Sequence, residues 1–149
     1  SHATLIHHFG SSGGMREALA DKMTSDLVED LVAAFAEHVP TEELTANVFR
    51  TLAEGGHAKL VAWRSVEGNQ DETGDRHDAQ ELFAKLLKSA QDAFAVSDRS
   101  EAQNMIFLVA MSAIGYGVAG EVLGQLLGMS EENLDHFPQW LTEHLNVER

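Results

Sequence analysis

The stretch that decides the fold runs from residue 105 to residue 128 and reads MIFLVAMSAIGYGVAGEVLGQLLG. No charged residue precedes Glu121 in it, so a helix over this stretch is apolar on every side and has to be covered on every side. Two interpretations fit: a membrane span, or a helix buried between its neighbours and a second copy of the chain. The charge of Glu121 and the lack of adjoining Lys or Arg favour the buried, dimeric helix.

Small residues in the same stretch point to close packing. Gly120, Gly124 and Gly128 recur at every fourth position, so they share one face of the helix. Glycines at this spacing allow another backbone to approach closely, and we therefore expect a subunit interface on this face. The alternative is that the glycines make room for bulky side chains of the same subunit.

Composition limits what the chain can do. The absence of cysteine from 149 residues excludes disulfides and thiolate chemistry. A formal net charge of −14 argues against binding DNA phosphates through this stretch itself. No targeting segment is visible at the start, so we expect a cytoplasmic protein of one ordinary-sized domain.

The N-terminal part predicts two helices. Apolar residues stand at every fourth position from Met15 to Val39, which indicates one helix of about 25 residues, and Pro40 should end it. Thr41 is expected to cap a second helix, and the glycine pair 55–56 should stop that helix.

Four more helices follow, so the predicted fold is all-α with about six helices. The acidic residues 67–75 predict a surface loop, and Asp98 with Glu101 forms a capping-box pattern that opens the fifth helix. Ser130 should start a sixth helix, which Pro138 should kink or split in two. The inward residues of the third helix are Leu60, Val61 and Trp63, and those of the fourth are Leu82, Phe83, Leu86, Leu87, Ala90 and Phe94.

Two patterns resemble catalytic motifs without their context. Residues 10–14, GSSGG, match the G-x-S-x-G elbow, with Ser12 as nucleophile, but that motif works between a strand and a helix of an α/β sheet. Glu54 and His57 have the spacing of dimetal helix bundles, but the pattern occurs once and crosses a glycine pair. We therefore expect no enzyme, no metal and no cofactor. The GSSGG turn is either an anion site or an ordinary helix cap.

Residues 3–19, ATLIHHFGSSGGMREAL, resemble the end of the DNA-binding domain in TetR-family transcriptional regulators. Family members typically read T-L-Y-x-H-F-G-S-K-E-G-L there. The matching residues are Thr4, Leu5, His8, Phe9, Gly10, Ser11 and Gly14, while Ile6 and Ser12 depart from the pattern. The motif covers about a tenth of the chain, and the remainder is similar to the family in its succession of helices.

The resemblance implies a division of the chain. Residues 1–12 would be a remnant of the helix-turn-helix domain, with Thr4, His7 and His8 as DNA contacts, and residues 13–149 would form the ligand-binding and dimerisation domain. The chain would begin inside the recognition helix, so operator DNA would be bound only through an upstream segment absent from it. The implied function is a ligand-responsive regulator, most often a repressor, in which a small molecule shifts the long first helix and alters DNA binding.

The implied partners are a second copy of the chain and a largely apolar small-molecule effector, with no membrane. Expected pocket residues are bulky and inward-facing, and core filling is the alternative for each: Phe35, Phe49, Trp63, Phe83, Leu87, Phe107, Met111 and Tyr116. The last two helices of each subunit would form a dimeric four-helix bundle, with Gly120, Gly124, Trp140, Leu141 and Leu145 at the interface. A different class of function remains open: a stand-alone helical dimer that binds a ligand or a protein and never touches DNA.

Overall fold

The computed structural model describes residues 3, 4, 7, 12–67 and 76–145, and every regular element in this part is helical. The helices are α1 (Ser12–Ala36), α2 (Thr41–Phe49), α3 (His57–Glu67), α4 (Arg76–Phe94), α5 (Arg99–Leu126), α6 (Glu131–Asp135) and α7 (Phe137–Leu145). A π-helical segment, Arg50–Glu54, continues α2. The all-α prediction is confirmed. Most of the predicted loop at 67–75 lies outside the described residues.

The first helix has the predicted length of 25 residues but ends earlier than expected. It stops at Ala36 because His38 takes a left-handed φ of 60°, which a helix cannot contain. Pro40 instead occupies the N-cap of α2 and makes no side-chain capping bond. The prediction that Thr41 caps α2 is therefore wrong, since Thr41 is the first residue of the helix itself.

The glycine pair ends the π-helical segment as predicted. Gly56 has a φ of +76°, a conformation that glycine adopts without the steric penalty of a Cβ atom. The chain therefore turns within two residues and enters α3 directly at His57. This turn delivers the His57 side chain to the interior, where it is 1% exposed.

Caps and a proline set the bounds of the C-terminal helices. Asp98 Oδ1 accepts a hydrogen bond from the Ser100 backbone N–H at 2.8 Å, and Ser130 Oγ accepts one from Asn133 N–H at 3.1 Å. Asp98 and Ser130 are therefore N-caps as predicted, although the Asp98 bond comes from Ser100 and not from Glu101, which the capping-box pattern had named. Pro138 falls in the first turn of α7, where a missing N–H costs little, so the predicted sixth helix is split into α6 and α7.

The core forms where α1, α2 and α5 meet, with α4 packed along α1 and α7 packed on α2. Its buried apolar residues are Leu27, Val28, Leu31, Leu44, Val48, Phe49, Leu52, Leu86, Ala113 and Leu141. Each of these lies on the apolar face of its own helix, so burial follows the helical spacing in the sequence.

Helix α5 is covered on one side and open on the other. Ala113 is fully buried, yet only 6% of the most apolar 18-residue stretch of α5 is buried within the subunit. By length and composition this helix could cross a membrane. Its uncovered apolar side chains are Phe107, Leu108, Met111, Val118, Val122, Leu123 and Leu126.

The three glycines at every fourth position have different roles in the subunit. Gly124 is buried, and a Cβ atom there would lie 3.2 Å from the Leu134 side chain, so it makes room for α6. A Cβ at Gly120 would meet the Tyr116 ring of the same helix at 3.3 Å. Gly128 instead ends the helix, with a φ of +68°. For Gly124 the alternative stated above, accommodation of a bulky neighbour in one subunit, is what the structure shows.

Candidate ligand-binding cavity

An apolar cavity of about 390 Å³ lies inside the helical domain. Its walls come from α1, α2, the π-helical segment, α3, α4 and α5, together with Leu145 of α7. The volume falls within the range of about 300–1,000 Å³ that is usual for small-molecule sites. The inner walls include Leu27, Leu31, Leu44, Val48, Ile106 and Val109.

Helical spacing explains why these walls are apolar. Leu27, Leu31 and Phe35 stand four residues apart on α1, and all three face the cavity. On α5, Ile106 and Val109 are three residues apart and also line the cavity. The long helix α1 therefore forms a continuous side of the cavity over more than two turns.

One histidine gives this apolar cavity a polar group. His57 lines the cavity, and its Nε2 atom lies 2.9 Å from Thr24 Oγ1. The Thr24 hydroxyl donates its only proton to the Ala20 carbonyl oxygen at 2.9 Å, so Nε2 must be the donor to Thr24. The other ring nitrogen, Nδ1, then carries a lone pair and no proton. It is buried and has no hydrogen-bond partner.

The same histidine is uncharged at neutral pH. Burial lowers the pKa of His57 below the ordinary value of 6.5, because a buried imidazolium loses its hydration. His57 is also the first residue of α3, where the positive end of the helix dipole disfavours a cation. Nδ1 of His57 is therefore a neutral hydrogen-bond acceptor.

An ion-pair cluster borders the cavity. Arg64 of α3 contacts Asp21 through a charged hydrogen bond and Glu17 at 3.7 Å, and so joins α3 to α1. Arg64, Thr24 and Phe83 also line a second cleft, which is polar and lies among α1, α3 and α4. The apolar cavity and the polar cleft thus adjoin at these three side chains.

The structure brings two of the eight expected pocket residues to the cavity, Phe35 and Phe83. Phe49 and Tyr116 pack in the core instead, with ring centroids 5.6 Å apart, and the Tyr116 hydroxyl donates to the Leu134 carbonyl at 3.3 Å. Burial and the carboxylates of nearby acidic residues raise the pKa of Tyr116 above 10. These two aromatic rings fill the core, which is the alternative given above for each expected pocket residue.

The other expected pocket residues lie away from the cavity. Trp63 is half-buried beneath the Arg16 guanidinium, 5.4 Å from its ring centroid, in a cation–π contact. Leu87 is buried in α4 but does not reach the cavity wall. Phe107 and Met111 point outward from α5 and are more than half exposed. A helix that is apolar all round gives no signal for which of its residues turn inward.

The expected interface residues divide in a similar way. Leu141 and Gly124 are buried within the subunit, Leu145 lines the cavity, and Gly120 is half-buried. Trp140 is 47% exposed and stacks on His144 with ring centroids 4.1 Å apart. Of these five residues, Trp140 is therefore the one whose side chain is available to a partner.

The expected DNA contacts lie before α1. Thr4 and His7 are helical and exposed, and His8 lies outside the described residues. In the part of the chain that the structure describes, no group of three or more His, Asp or Glu side chains could hold a metal ion.

Comparison with known proteins adds no relative: no family model, no curated protein and no solved structure matches this chain. Sequence reasoning considered His57 only as part of a metal pattern with Glu54 and missed it as a cavity residue. Its position directly after two glycines indicated the start of a helix, but its contact with Thr24 joins residues 33 positions apart in the chain.

Proposed function

We propose that this chain is the effector-binding and dimerisation domain of a ligand-responsive transcriptional regulator of the TetR type, most often a repressor. The observation that carries the proposal is the apolar cavity with α1 as one wall. This helix follows directly on the residues that resemble the end of a recognition helix. A small molecule in the cavity would touch the helix that leads to the DNA-binding part.

The length of α1 makes such coupling physically reasonable. From Leu27, in the cavity wall, to Ser12, at the start of the helix, the axis spans about 22 Å at 1.5 Å per residue. A small tilt imposed at Leu27, Leu31 and Phe35 therefore displaces the N-terminal end by a larger amount. A ligand that binds one orientation of α1 more tightly than another shifts the population toward that orientation. The resulting change in DNA affinity can be no larger than the difference between the ligand's affinities for the two orientations.

The open face of α5 supports a dimer. Its apolar side chains from Phe107 to Leu126 extend over about 28 Å of helix axis. Exposed apolar surface on this scale usually marks an interaction site. Two copies joined through α5 and through Trp140 of α7 would form a four-helix bundle with two-fold symmetry. Operator DNA would be held outside this acidic domain, through residues such as Thr4, His7 and His8 and a segment upstream of them.

The ligand-binding part of the proposal is tested by thermal unfolding with a library of apolar small molecules. A ligand that binds the folded state raises the melting temperature with its concentration. The variant Ala110→Phe places a ring in the cavity wall and should abolish the shift. Ala84→Phe makes the same change at an exposed position of α4 and should keep it. Failure of every compound to shift the wild-type melting temperature would overturn this part.

The DNA-binding part is tested on the full-length native protein. Selection from random-sequence duplexes should enrich a two-fold symmetric site, and a ligand found by thermal shift should change the affinity for that site. Ligand binding without any enriched duplex would contradict the regulator and leave a stand-alone ligand-binding dimer.

A further inference from the structure

We propose that the cavity selects a neutral, largely apolar molecule carrying one hydrogen-bond donor, and that this hydroxyl or N–H group donates to Nδ1 of His57. The inference rests on the proposed function of the cavity as a ligand site. It adds the chemical class of the ligand and the atom that recognises it.

His57 carries an unsatisfied hydrogen-bond acceptor, Nδ1. Buried polar atoms in proteins nearly always have a hydrogen-bond partner, and an exception calls for an explanation. Among the described residues, Nδ1 of His57 is the buried side-chain polar atom that has no partner. His57 lines the cavity and is 1% exposed as a residue. A donor on a bound molecule would supply the missing partner inside a site whose wall is mostly apolar.

The hydrogen bonds of Thr24 decide which ring nitrogen of His57 carries the proton. His57 Nε2 donates to Thr24 Oγ1, and the Thr24 hydroxyl donates to the Ala20 carbonyl oxygen. The single proton of the neutral ring is therefore on Nε2, and Nδ1 has none. Thr24 is held in α1, so the ring tautomer is set by the protein before a ligand arrives. Nδ1 can therefore only accept, and it distinguishes a hydroxyl from an ether of the same size.

The charges around the cavity disfavour a charged ligand. Arg64 is the charged side chain in the cavity wall, and it is already engaged by Asp21 and Glu17. An anionic ligand would thus find no free cation there and would approach a chain of net charge −14. A cationic ligand would find no carboxylate in the wall. Burial of an unpaired charge is costly, so a neutral molecule is favoured.

The test compares four probes of matched shape by isothermal titration calorimetry: 4-butylphenol, 4-butylanisole, butylbenzene and 4-butylbenzoate. We expect the phenol to bind the wild-type chain at least tenfold more tightly than the anisole or butylbenzene, and the benzoate not to bind. In His57→Leu the advantage of the phenol over the anisole should disappear, while both still bind.

A second measurement keeps the test independent of how well His57→Leu folds. In the wild-type chain, the ¹⁵N resonance of His57 Nδ1 should move on addition of the phenol and stay in place with butylbenzene. Equal affinities for phenol, anisole and butylbenzene with an unmoved Nδ1 resonance would overturn the inference and leave the ligand cavity intact. If neither these probes nor any compound of the thermal-shift library binds, the proposed ligand function itself fails.

Discussion

At Gly117, helix α5 packs closely against the backbone of another segment. A Cβ atom there would lie 2.7 Å from Ala53 Cα in the π-helical segment and 2.8 Å from Ala58 Cβ in α3. Real Cβ atoms do not approach so closely, and backbone cannot yield as a flexible side chain does. The glycine therefore lets the π-helical segment and the start of α3 pack directly on α5.

Two glycines two residues apart in one helix give a matched test of this contact. Gly117→Ala should lower the free energy of unfolding by about 1–3 kcal/mol through overpacking. Gly115→Ala, where nothing lies within 4 Å, should raise it by about 0.5–1 kcal/mol through the better helix propensity of alanine. Urea denaturation measures both, and a similar effect of the two substitutions would contradict the close approach.

His57 makes the stability depend on pH in a predictable direction. Burial depresses its pKa below 6.5, so between that lowered value and 6.5 the unfolded chain binds more protons than the folded one. The stability contributed by neutral His57 is complete above pH 6.5 and is lost as the pH falls, by at most about 1.4 kcal/mol per pH unit for one group.

The chain has 8 histidines, so the contribution of His57 is measured by difference. Urea denaturation of the wild type and of His57→Leu between pH 5 and pH 7.5 gives the free energy of unfolding of each. The wild-type value minus the variant value should decrease as the pH falls. If this difference in free energy does not change with pH, the pKa of His57 is the same in the folded and the unfolded chain, which would contradict the prediction.

At the scale of the element, α5 is the helix whose environment is incomplete in one subunit. Its outward residues Phe107, Met111, Val118 and Val122 recur at spacings of four and seven, as in a helix that packs against another helix. The inward side is occupied by Ala113 and Gly117, whose small size allows other helices to pack closely there.

Charge on the outward face of α5 should therefore break the proposed dimer. We expect the wild type to sediment as a dimer and Val118→Glu to sediment as a monomer, because an unpaired carboxylate would be buried at the interface. Gln103→Glu adds the same charge at an exposed polar position of α5 and should leave the dimer unchanged. A monomeric wild type that floats with lipid vesicles would instead favour the membrane interpretation of this helix.

At the scale of the whole molecule, the proposal requires a ligand in the cavity to move the start of α1. The absence of native cysteine allows one spin label per subunit, introduced as Ser12→Cys at the exposed first residue of α1. Pulsed electron resonance on the dimer should show that the distance between the two labels changes when a ligand binds. Labels at Glu132→Cys in α6 should keep their separation. An unchanged distance between the Ser12→Cys labels would contradict coupling through α1.

The sequence by itself determined the helical elements. The spacing of apolar residues gave the length of α1, Asp98 and Ser130 marked two helix starts, and Pro138 marked the division between α6 and α7. These features depend on residues within one or two turns of each other, so local patterns are sufficient to predict them. His38 was missed because a left-handed backbone is uncommon at any residue other than glycine.

Only the tertiary structure decided which faces meet. The bond between Thr24 and His57 joins residues 33 positions apart, and Gly117 packs against Ala53 and Ala58 from a distant part of the chain. Such contacts depend on how the helices are placed relative to one another, and a helix as uniformly apolar as α5 fits several placements equally well. The sequence therefore predicted that α5 needs to be covered, while the packing of α1 to α4 decided which side of it faces the cavity.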